Sequence, residues 1–99
     1  MTMPPLPPSL CNAGTPGEIC DRLLDWAESS HIPSATAALV RDLALALNER
    51  NDVIELPSAC DSWWYSVKDK DPSPSTFDYL LVTSIAVALQ CVAASSELN

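Results

Sequence analysis

Glycine is nearly absent from this chain. Only Gly14 and Gly17 occur, and nothing after them supplies the residue that most easily adopts the positive φ of tight hairpin turns. That argues against an all-β fold. Positive charge is also scarce. Arg22, Arg41, Arg50, Lys68 and Lys70 are scattered, mostly beside carboxylates, so no basic patch with interleaved aromatics can be drawn. Against them stand 13 acidic residues and a net charge of -8, which repels nucleic-acid phosphates and anionic lipid headgroups and attracts basic protein surfaces. Direct nucleic-acid binding is therefore not expected.

Catalytic and metal-binding equipment is equally thin. His31 is the one histidine, and it falls between Ser30 and Ile32 in the connection between two helical patterns, with no activated serine or cysteine placed beside it. Cys11, Cys20, Cys60 and Cys91 lack the close paired spacing of zinc knuckles and ribbons. Asp69 and Asp71 flank Lys70 without the glycine and terminal glutamate of a calcium loop. The expectation is a protein with no enzymatic activity, no metal and no cofactor. The start, Met1-Thr2-Met3-Pro4-Pro5, has neither the positive charge nor the apolar run of a secretory signal. Reduced thiols in the cytoplasm follow as the expectation, with Cys60 and Cys91 on apolar helical stripes.

What is present is helical punctuation. Ninety-nine residues with 47% apolar content suffice for one core. Residues 1–14 read as a proline-rich arm, because proline fixes φ and donates no backbone hydrogen bond. A single helical domain, 15–99, should follow. Thr15-Pro16-Gly17-Glu18 is a capping box with proline at the first helical position, opening a helix that ends near Ser29. Pro33 and Ser34 open a second pattern through Leu39, Val40, Leu43 and Leu47, which stops at Asn48-Glu49-Arg50-Asn51-Asp52. Val53-Ile54-Glu55-Leu56 is a short extended connector or a single turn. Pro57 and Ser58 start a third pattern that stops at Lys70, and Asp71-Pro72-Ser73-Pro74-Ser75 is the clearest internal loop.

Ser75-Thr76-Phe77-Asp78 resembles a second capping box, with aspartate in the glutamate position. The helix it opens, about Thr76 to Ala94, carries no charge between Tyr79 and Ser96. Eighteen uncharged residues reach the lower length of a membrane span. Thr83, Ser84, Gln90 and Cys91, the many alanines and the absence of flanking Lys or Arg favour a buried helix instead, with no membrane role. The fold class expected is all-α, a small four-helix bundle with a central apolar C-terminal helix and a proline-rich N-terminal arm. If three short helices fail to cover the last one, its remaining surface invites a homodimer.

Two features point to function. Glu18, Asp21, Asp25 and Glu28, at steps of three, four and three, lie along one ridge of the first helix, about 15 Å long. Such a ridge can steer the chain onto a basic surface of another protein. Trp63-Trp64-Tyr65 spans about 200° of helix, so its rings cannot all enter one core seam. Trp63 and Tyr65 are taken as marginal rings able to anchor a partner, with Trp64 in the core. The functional expectation is a small acidic, non-catalytic binding protein, an inhibitor, immunity factor or phage counter-defence factor. The alternative is an assembly subunit or adaptor docking through its apolar C-terminal helix.

Overall fold

The computed structural model describes Leu10 and residues 12–29, 31–69 and 75–98, except the side chains of residues 97 and 98. It is all-α: α1 (Pro16–Ser29), α2 (Ser34–Asn48), α3 (Leu56–Val67) and α4 (Thr76–Leu98), with a 3-10 turn at Val53–Glu55. Most of the proline-rich arm and the loop 71–74 lie outside the described residues. Leu10 and Ala13, which the sequence pattern assigns to that arm, are buried in the core, so the packed unit starts before Thr15.

Side chains satisfy the first free amides at the starts of α1, the 3-10 turn and α4. Thr15 Oγ1 accepts from the Glu18 amide at 3.2 Å, while the Glu18 carboxylate reaches back to the Gly14 amide at 3.5 Å. The reciprocal bond thus lands one residue earlier than in a regular capping box. The Val53–Glu55 turn has its own box: Asp52 Oδ1 accepts from the Ile54 amide at 3.1 Å, and Glu55 Oε2 accepts from the Asp52 amide at 3.2 Å. At α4 the expected box forms with aspartate. The Asp78 amide donates to Ser75 Oγ, and the Ser75 amide donates to Asp78 Oδ2, both at 3.1 Å. Pro33, at the start of α2, offers no side-chain cap.

The helices pack as two pairs. α1 lies chiefly against α2, α4 lies against α3 and the 3-10 turn, and α2 meets α3 between the pairs. Ile19, Leu23, Leu43, Leu47, Leu56, Leu81, Ile85 and Leu89 are fully enclosed where these faces converge, and removal of their apolar surface from water is the main source of stability. Two long-range hydrogen bonds tie the pairs together. Thr36 Oγ1 donates to Asp78 Oδ1 at 2.6 Å, and Trp63 Nε1 donates to Asp42 Oδ2 at 2.8 Å.

The thinnest dimension is 18 Å. Helices pack with axes about 8–10 Å apart, so this thickness holds two layers and not three. Among the described residues no helix is wrapped on every side, and the central position expected for α4 is accordingly corrected to a place in an outer layer. α4 buries Leu81, Val82, Ile85, Leu89, Val92 and Ala93, while Leu80 and Val87 stand 55% and 60% exposed on its other side.

Candidate protein-binding surfaces

The acidic ridge is an open surface. Glu18, Asp21, Asp25 and Glu28 are all exposed, because Ile19, Cys20, Leu23, Trp26 and Ala27 turn the opposite side of α1 into the core. Arg22 sits within the ridge and pairs with Glu18 at 3.2 Å, an exposed i,i+4 bridge that neutralises one end. The other end keeps its charge against the helix dipole, since the last turn of α1 contains no basic residue.

The aromatic run is placed differently from the expectation. Trp63 is only 7% exposed, and its indole N–H is committed to Asp42, so it is a core residue and not a partner anchor. The ring at the margin is Trp64, half-buried, with its centroid 6.4 Å from that of Trp63. Consecutive helical residues point about 100° apart, and the Asp42 acceptor draws Trp63 inward. Tyr65 is 67% exposed as expected, with the Lys68 ammonium 4.5 Å above its ring. It belongs to the α3–α4 pair and the ridge to the α1–α2 pair, so the two form separate surfaces.

Sequence reasoning missed a groove beside Trp64. Tyr79, on α4, meets the Trp64 ring edge-on at 5.6 Å between centroids and remains 54% exposed. These two rings separate a cavity of about 330 Å³, lined also by Lys68, Ser75 and Thr76, from one of about 210 Å³ reaching Cys60, Asp61, Val82 and Ala86. The signal for it is the placement of Tyr79 at the start of the charge-free stretch of a helix whose N-terminus must lie near the end of α3.

The cysteines also divide. Cys20 and Cys60 are buried free thiols, whereas Cys91, expected on a core stripe, is free and exposed on the outer side of α4; Cys11 lies outside the described residues. Burial, reinforced by the Asp61 charge, pushes the Cys60 thiol up to about 11, and burial followed by Asp21 raises Cys20. Both thiols stay protonated and unreactive at neutral pH. His31 is exposed in the connection between α1 and α2. Among the described residues no group of three His, Cys, Asp or Glu is placed to hold a metal ion. No family model matches this chain, and no curated protein or solved structure is detectably similar to it.

Proposed function

We propose that this chain is a non-catalytic binding protein that masks a basic surface of another protein in the cytoplasm, as an inhibitor, immunity factor or phage counter-defence factor does. The observation that carries the reading is the exposure of all four carboxylates of the α1 ridge, of which Glu18 is bridged to Arg22. Asp25 and Glu28 also stand at the negative end of the helix dipole, where they cost stability and offer a partner concentrated negative charge. Association steered by such a field is fast and falls steeply with ionic strength.

The experiment is capture of the partner from the native host, followed by affinity measurement with the Asp21→Lys/Asp25→Lys variant. The expected result is at least a tenfold loss, roughly 1.4 kcal/mol, with unchanged helical circular dichroism. Equal affinity for variant and wild type overturns the role of the ridge.

A second reading is favoured by Leu80 and Val87, apolar and more than half exposed on α4. Here the chain is an assembly subunit or adaptor that docks through this helix. Salt separates the two, since apolar docking persists at ionic strengths that abolish ridge-driven binding.

A further inference from the structure

The outer face of α4 repeats with a regular step. Thr76, Leu80, Thr83, Val87, Gln90 and Ala94 are all exposed, at steps of four, three, four, three and four. This alternation is the a/d spacing of a helix seam, with Leu80, Val87 and Ala94 in one set of positions and Thr76, Thr83 and Gln90 in the other. It also reads identically from either end. Turned end for end, the face sets Thr76 against Ala94, Leu80 against Gln90 and Thr83 against Val87.

We propose that this face is an interface between two copies of the chain, with the two α4 helices antiparallel about a two-fold axis at the level of Ile85. Three observations identify the occupant as a second copy. The spacing is self-complementary, as an isologous interface requires. The face carries no charge in a molecule of net charge -8, so it lets two copies meet without setting carboxylate against carboxylate. Its central hydroxyl is already satisfied, since Thr83 Oγ1 donates to the Tyr79 carbonyl at 2.9 Å. Covering it strands no donor.

The size of the face sets the strength. From Thr76 to Ala94 it is about 27 Å long, and one helix face of that length buries less than the roughly 800 Å² per partner of a standard interface. A reversible dimer of micromolar affinity is the consequence. Net charge repels the two copies, so added salt tightens the dimer, opposite to its effect on ridge-driven binding.

Sedimentation velocity over a concentration series tests the interface. The expected result is a monomer–dimer equilibrium that tightens with salt and weakens at least about tenfold in Val87→Glu, because a charge would be covered without a partner. Val87 is 60% exposed, so the variant should keep the wild-type circular dichroism, and Leu80→Glu gives a second chance if it does not. The Asp21→Lys/Asp25→Lys variant should dimerise no less tightly, which separates this test from that of the ridge. Orientation is read by oxidation. In the antiparallel arrangement the two Cys91 thiols lie about 18 Å apart along the axis, so wild type should not cross-link, whereas Leu80→Cys should do so to Cys91 of the partner subunit. A strict monomer at high micromolar concentration, a dimer indifferent to both glutamate variants, or cross-linking of wild type through Cys91 overturns the proposal. So does a monomer that floats with phosphatidylcholine vesicles.

Discussion

Cys60 shows how one position sets both reactivity and a pH dependence. Its thiol is enclosed beside Asp61, and removal from water, followed by that negative charge, lifts its ionisation from 9.0 to about 11. Below pH 9 folded and unfolded chains both hold the proton. Between about pH 9 and 11 the unfolded chain releases it while the folded chain keeps it, so stability falls as pH rises through that window. The expected loss relative to Cys60→Ala is about 2 kcal/mol, measured by urea denaturation across the range. Curves that run parallel for the two proteins would contradict it. Trp63 marks the limit of reading single residues from sequence. That the three rings must diverge was legible from helix geometry, but which of them turns inward depends on Asp42, 21 residues away on another helix. No local pattern carries that information.

At the scale of elements, the caps were legible and the ties between helices were not. Thr15 and Ser75 announce α1 and α4 by spacing alone, because a capping box is a local arrangement of four residues. The inward side of α4 was illegible for the opposite reason: with no charge from Tyr79 to Ser96, the sequence has little amphipathic phase to say which side meets the core. The structure resolves it through Asp78, whose carboxylate closes the α4 cap with Oδ2 and accepts the buried Thr36 hydroxyl of α2 with Oδ1. That double use couples the start of one helix to the other. Asp78→Ala removes the reciprocal half of the capping box, the bond from the Ser75 amide, and leaves the Thr36 hydroxyl without its acceptor, and should cost about 2–3 kcal/mol. Thr36→Val should cost about 1 kcal/mol, and the double variant less than the sum of the two. Chemical denaturation of the four proteins measures the coupling, and strict additivity would show that the two side chains act independently.

For the whole molecule, charge acts on three equilibria with different signs. Attraction between the α1 ridge and a basic partner is screened by salt, so binding weakens. Repulsion between two anionic copies is screened by the same ions, so pairing through α4 strengthens. Folding resembles the second case, because a compact chain of net charge -8 holds its carboxylates closer together than the unfolded chain does. The Arg22–Glu18 bridge is exposed and contributes little in the other direction. Raising ionic strength from about 0.01 to 0.2 M shortens the screening length from about 30 Å to below 10 Å, less than the extent of the α1 ridge. The thermal midpoint should therefore rise by a few degrees over that range, measured at a concentration low enough to keep the chain monomeric. Asp21→Lys/Asp25→Lys, which moves the net charge from -8 to -4, should reduce that rise. If the midpoint instead falls with salt in wild type, attractive pairs outweigh repulsion in the folded state, and the anionic surface is a stabilising network instead of a field held open for a partner.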